Sequence, residues 1–338
     1  MFKAYQSAPL SLFGYLKVIV AASIFSIFLC MAALAMGSVS ISFIDVLKIL
    51  LQTEDSLVGR IVLDIRLPRI MTGFCVGGML AIAGSLMQVL LRNPLADPYI
   101  LGVSGGSSAF ALLSIIAGVT GLWVNLSAFL GALLSILLVF FLSRSNGEWS
   151  SLRTLLTGVV LAAGWGALIS FLLAISPSDR VHGMLFWLMG DISFSTYSLW
   201  NFVLLVIGLI ASLSVARALN LLAIGELNAS ALGVSVIRLN YFIYFLASFL
   251  TAAAVMQAGS IGFVGLVIPH IVRLLFGNDH LLLLTISAML GGSFLVFADS
   301  LARTIVAPQQ LPVGVLTAMI GVPLFLVLLQ SVFAKKTS

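Results

Sequence analysis

Residues 66–98 open with Arg66-Leu67-Pro68-Arg69, continue as IMTGFCVGGMLAIAGSLMQVLL over 70–91, and close with Arg92-Asn93-Pro94-Leu95-Ala96-Asp97-Pro98. The middle run carries no charged residue. A helix rises about 1.5 Å per residue, so a run of this length crosses the roughly 30 Å hydrocarbon core of a bilayer. It is continuously apolar and does not alternate, so it is not a strand of a membrane β-barrel. In lipid, a helix is the spanning element that satisfies its own backbone polar groups. The stretch therefore reads as a transmembrane helix between two short, proline-stiffened polar segments.

Similar runs lie at roughly 18–37, 100–120, 124–142, 155–175, 198–216, 240–257, 261–276, 281–302 and 312–333, which makes ten in all. The composition agrees. Of 338 residues, 61% are hydrophobic and 8% charged. Soluble domains run near 45–50% apolar and about 25% charged, so a water-soluble globule and a disordered chain are both excluded. The fold class is all-α: a polytopic membrane protein of about ten transmembrane helices, with residues 1–338 forming one domain. The run at 261–276 is short and carries Gly262, Gly265 and Pro269, so a broken or partly re-entrant helix is expected there. Lys3 and Lys17 precede the first run and Ala33-Leu34-Ala35 follows within it. A cleaved signal would leave an odd number of spans, so an uncleaved first helix is expected.

Charge sets the orientation. With the N-terminus inside, Lys3, Lys17, Arg92, Arg144, Arg153, Arg217, Arg238, Arg273, Lys335 and Lys336 are cytoplasmic. Lys48, Arg60, Arg66, Arg69, Arg180 and Arg303 face outward. Ten against six places both termini in the cytoplasm. The net charge of +5 is scattered one or two residues per loop, which argues against nucleic acid as a partner and leaves membrane lipid. Cys30 and Cys75 sit inside apolar runs, and the three histidines are far apart. No metal spacing, catalytic constellation or cofactor motif is present. No Gly-Lys dipeptide occurs, so there is no phosphate-binding loop of the G-x-x-x-x-G-K-[ST] kind. No span carries a paired acidic relay, which weighs against the alternative of a secondary transporter working without an ATPase.

Four segments depart from plain linker composition. Arg66 and Arg69 form a stiff cationic pair on the face that should be poor in arginine. After 93–98, the run Gly102, Ser104, Gly105 and Gly106 starts a span almost without side-chain bulk, as either a helix seam or the wall of a wide cavity. Residues 217–238 form the longest cytoplasmic loop, and 226–232 can make a short helix that is acidic at its start and ends near Gly233. Such a helix suits docking into a partner's groove. Finally, 259–273 gathers three glycines, a proline, His270 and Arg273; a lone histidine there is read as structural.

Taken together, RLPR (66–69), NPLADPYILGVSGG (93–106), WLMGDIS (187–193), LNLLAIGELNASALGV (219–234), GSIGFVGLVIPHIVRL (259–274) and LPVGVLTAMIGVP (311–323) resemble the FecCD-type permeases. These are the membrane subunits of ABC importers for ferric siderophores, haem and vitamin B12. The resemblance implies no enzyme but a translocation subunit in a bacterial inner membrane, with iron chelates or cobalamin as substrate. It implies a second copy of the chain, two cytoplasmic ATP-binding subunits and a periplasmic substrate-binding protein as partners. It implies alternating access driven by ATP. It casts Gly225, Glu226, Ala229, Ser230 and Gly233 as the ATPase contact. It makes Asn93, Leu95, Ser150 and Ser151 the cytoplasmic gate, and Arg66, Arg69 and Arg303 the docking site for the binding protein.

Overall fold

The computed structural model describes residues 12–37, 39–52, 56–143, 150–193 and 199–334. Lys3, Arg144, Lys335 and Lys336 of the orientation argument lie outside them. The described residues are helical throughout, with no strand among them. The chain begins with α1 (Leu12–Ala35), the short amphipathic α2 (Phe43–Gln52) and α3 (Leu57–Arg60). A π-helical turn over Ile61–Arg66 joins α3 to α4 (Leu67–Leu90). A 3-10 turn at Pro98–Leu101 precedes α5 (Val103–Ile116), followed by α6 (Leu122–Ser143) and α7 (Ser151–Ile175). Next come α8 (Ser178–Met189), α9 (Leu199–Ser214), α10 (Ala216–Ile224) and α11 (Glu226–Ala231). The chain then continues through α12 (Val236–Ala258), α13 (Val264–Phe276), α14 (His280–Thr304) and α15 (Val313–Ala334).

Six of these helices are long and apolar enough to cross a membrane, and α9 with α10, bent by 54°, makes a seventh. Three shorter apolar helices, α5, α13 and the start of α15, account for the rest of the ten apolar runs. Thirteen residues of α13 extend about 20 Å, less than the bilayer core, as the glycines and Pro269 of that segment imply.

The most buried of the long spans is Leu57–Leu90: 89% of its most apolar window lies inside the protein, against 11% for α7. The cause is a helix apolar on every side with small residues where neighbours press in. A Cβ on Gly77 would fall 2.2 Å from the Gly291 carbonyl oxygen of α14, and one on Gly84 would fall 1.8 Å from the Gly265 carbonyl oxygen of α13. Backbone touches backbone at both places. The helices α12 and α9 complete the wall around α4. A second pair, α5 with α6, meets at Gly106 and Gly131.

One helix breaks the expected loop over 176–197. Met184 of α8 is fully buried with Leu112 and Leu172, and Arg180 donates from Nη1 to the Ile115 carbonyl oxygen at 3.1 Å and to that of Ile116, ending α5. The far end of α8 reaches the α12–α13 link, where Gly190 and Gly259 pack against the carbonyls of Ser260 and Trp187.

Candidate functional sites at the two ends of the helix bundle

At the amino end of α4 the arginines turn inward. The π turn before Arg66 points its side chain back over α1. Its Nη1 donates to the carbonyls of Leu34 at 2.6 Å and Ala35 at 3.2 Å, and its Nη2 donates to that of Val39. The guanidinium thus ties off the last turn of α1, whose carbonyls lack helical partners and carry the negative end of the helix dipole.

Arg69 is gripped by Asp299 of α14. Its Nη2 lies 2.7 Å from Oδ1, its Nε 2.9 Å from the same oxygen and 3.0 Å from Oδ2, and its Nη1 donates to Gln310 Oε1 at 2.7 Å. Arg303, one turn beyond Asp299, brings Nε to 3.1 Å from Oδ2. Ser193 Oγ lies 2.5 Å from Asp191 Oδ1 and 3.2 Å from Gln310 Oε1, which joins the α8–α9 link to the same cluster.

This geometry turns all three arginines into the protein. Arg66, Arg69 and Arg303 are 4%, 5% and 8% exposed, and Arg66 and Arg69 are committed within the chain. Asp299 and Gln310, the groups that hold the cluster, were not singled out in the sequence. The signal was there, since Asp299 is a lone acid inside an apolar run, and an ionisable group at such a place marks a functional or paired site.

At the carboxyl end of α4 the expected short helix forms as α11, set off from α10 by Gly225 at φ 133 and followed by Gly233 at φ 85. Both values favour glycine over any residue with a Cβ. The side chains sort differently from expectation. Ala229 is completely buried, because on so short a helix one face must pack on its own protein. The surface is made by Leu227, 88% exposed, with Ser230, Ala231 and Leu232 beside it. Glu226 forms an ion pair with Arg92 at the exit of α4.

The gate residues lie near this end. Asn93 Oδ1 accepts from Leu95 N–H at 2.9 Å, a side-chain turn that exposes Leu95. Ser150 stands before α7 and its carbonyl accepts from Thr154; Ser151 is the first residue of that helix. Gly102, Gly105 and Gly106 each have a close neighbour within the chain. They lie against Ser135, Trp165 and Gly131 respectively, as a packing seam does, and Ser104 and Gly105 are left partly exposed.

Asp279 caps α14, its Oδ1 accepting from Leu281 N–H at 3.0 Å. Burial pushes its carboxyl upward, but bonds from Tyr15, Asn220 and the Leu281 N–H hold it below the ordinary carboxylate range. His270 is buried with its ring edge-on to Phe325 at 6.4 Å, a packing contact in keeping with the structural reading.

The chain is thus a polytopic helical membrane protein with a centrally buried span, a short exposed helix at one end and a buried charged cluster at the other. Residues 24–331 match the FecCD transport family, and the chain belongs to it. The cobalamin import system permease protein BtuC of Halobacterium salinarum is 43% identical over 276 residues, covering 80% of this chain and 73% of that protein. The hemin transport system permease protein HmuU of Yersinia pestis is 36% identical over 329 residues, covering 94% and 95%. A solved structure described as an inward-facing conformation of a metal-chelate type ABC transporter superposes with a TM-score of 0.83. It is 34% identical and covers 93% of this chain and 99% of that one.

Proposed function

We propose that this chain is the membrane-spanning subunit of a bacterial inner-membrane ABC importer that takes up an iron chelate, either a ferric siderophore or haem, or cobalamin. Two copies form the path, two ATP-hydrolysing chains bind the α10–α11 side in the cytoplasm, and a periplasmic binding protein delivers the substrate to the opposite side. Both termini are cytoplasmic. The observation that carries the reading is the exposure of Leu227 and Leu232 on and beside α11, outside the long spans. Apolar side chains clustered beyond the bilayer call for a protein partner. The expected ATPase contact is therefore Gly225, Glu226, Ser230 and Gly233 with Leu227 at the centre, Ala229 supporting it from beneath.

Two further observations support the assembly. The face of α7 bearing Ala163, Gly164, Gly166 and Ala167 is exposed, and small residues suit close contact with another helix. At the other end Arg69 and Arg303 share the carboxylate of Asp299, and the described partners of Arg66 are backbone carbonyls. That leaves an excess of positive charge, which favours an acidic docking partner. Asn93, Leu95, Ser150 and Ser151 form the inner gate, and Ser104 faces the path. ATP binding moves the partner chains, and the path opens to alternate sides.

The test is purification of the tagged chain from native membranes in mild detergent. Two copies together with two chains bearing a phosphate-binding loop are expected. ATP-independent uptake by the chain alone in liposomes would overturn the proposal in favour of a secondary transporter.

A further inference from the structure

The α10–α11 segment is fastened to the rest of the protein by more than its covalent ends. Asn220, on α10, bridges two residues at the start of α14. Its Nδ2 donates to Asp279 Oδ1 at 3.0 Å, and its Oδ1 accepts from the His280 backbone N–H at 2.8 Å. His280 Nδ1 also lies 2.7 Å from Asn220 Oδ1. That oxygen can only accept, so Nδ1 carries the proton. Tyr15 of α1 donates to the other oxygen of Asp279. Every polar atom of the Asn220 side chain is thus used, and all of them hold α10 against α14.

Helix α14 leads away from this knot to the opposite end of the protein. Asp279 and Asp299 are about 30 Å apart along the helix at 1.5 Å per residue. Between them α14 lies in backbone contact with α4. A Cβ on Gly291 would fall 2.6 Å from the Gly77 carbonyl oxygen, and one on Gly292 would fall 2.7 Å from that of Phe74. Packing this close has no slack, so the two helices move as one body. At its far end Asp299 holds Arg69, which in turn holds Gln310 on the link between α14 and α15.

We infer that Asn220 is a positioning residue for transport: it locks the coupling segment to α14, which carries that segment's displacement across the membrane to the Arg69–Gln310 cluster. The inference rests on the reading of the chain as an ABC importer permease.

The test uses the complex purified with its own ATPase chains and binding protein. Hydrogen exchange is measured over 226–231 and 305–312 with and without a non-hydrolysable ATP analogue. In the wild type, exchange in both segments responds to nucleotide. In Asn220→Ala, 226–231 is still protected by the bound ATPase, but the response of 305–312 is lost. Turnover stimulated by the binding protein falls by about fivefold or more. Gln310→Ala, which leaves the Asn220 end untouched, lowers stimulated turnover as well, and the double variant is no worse than Asn220→Ala alone. An unchanged 305–312 response in Asn220→Ala, or additive losses in the double variant, would overturn the inference while leaving the importer reading intact. Failure of the ATPase chains to protect 226–231 in the wild type would instead sink the importer reading, and this inference with it.

Discussion

Arg69 of α4 and Asp299 of α14, 230 positions apart in sequence, form a buried two-point ion pair in which Nε and Nη2 lie 2.9 and 2.7 Å from the same carboxylate oxygen. Arg303 leans on the second oxygen at 3.1 Å. Removing one partner of such a pair strands a charge away from water and costs about 3–5 kcal/mol. Asp299→Ala strands two arginines, so it should destabilise the protein more than Arg69→Ala, which leaves Arg303 to satisfy the acid. Arg69→Lys loses the planar fork and should fall between wild type and Arg69→Ala. Thermal unfolding of the three variants in detergent orders them, and equal losses for Asp299→Ala and Arg69→Ala would contradict the shared-acid geometry.

Leu227 is the most exposed side chain of the α11 surface, and Ser230 stands beside it. Neither supports the fold of the isolated chain. Leu227→Glu and Ser230→Trp should therefore leave expression and thermal stability near wild type while abolishing co-purification of the ATPase. Ala229→Trp should do the reverse of a pure contact mutation, since its methyl group is buried and overpacking costs about 1–3 kcal/mol. If Ala229→Trp folds normally and Leu227→Glu still binds the ATPase, the facing of α11 is wrong.

Glycines divide by what a Cβ would meet. At Gly84 it would strike the Gly265 carbonyl at 1.8 Å, and at Gly166 it meets nothing within 4 Å. Gly84→Ala must push α4 from α13, and a sharp loss of folded protein is expected. Gly166→Leu has room in a single chain. If α7 packs on a second copy, however, the added bulk splits the pair. Light scattering in detergent should show Gly166→Leu as a stable single copy where wild type is double.

Much of the architecture could be read from the chain because membrane spans depend on local composition. Each of the ten apolar runs corresponds to a helix or bent pair, and the break before α13 falls at Gly259 and Gly262, while Pro269 lies within the helix. Helix α8 escaped because Asp179, Arg180 and His182 lower its hydropathy, while its place depends on Met184 fitting beside Leu112 of α5. The arginines stand out as unusual in the chain, but their partners do not, for a related reason. Arg66 answers to carbonyls of α1 and Arg69 to an acid on α14, and nothing in the spacing of either motif encodes contacts so distant in sequence. The buried side of α11 was likewise hidden, because a six-residue helix is too short for periodicity to reveal which face is covered.

The link between α4 and α5 supplies a pH test. Asp97 caps the turn at Pro98–Leu101, its Oδ1 accepting from Tyr99 N–H at 2.8 Å. Tyr99 in turn accepts at its hydroxyl from Ile261 N–H at 3.1 Å, on the link that leads into α13. Burial pushes the Asp97 carboxyl up to about 6, although the Tyr99 N–H pulls it the other way. The folded protein therefore holds the Asp97 proton more tightly than the unfolded chain does. The sign follows from linkage: the stabilising contribution is complete below the ordinary carboxylate value near 4 and is lost as pH rises through about 6. Asp97→Asn keeps an acceptor for Tyr99 and cannot ionise. Relative to wild type, this variant should gain thermal stability as pH is raised from 4 to 7, with most of the change below about 6. Unfolding midpoints of the two proteins in detergent, compared across that range, measure the difference directly. A difference that stays flat with pH would mean that the Asp97 carboxylate is as well solvated in the fold as in the unfolded chain.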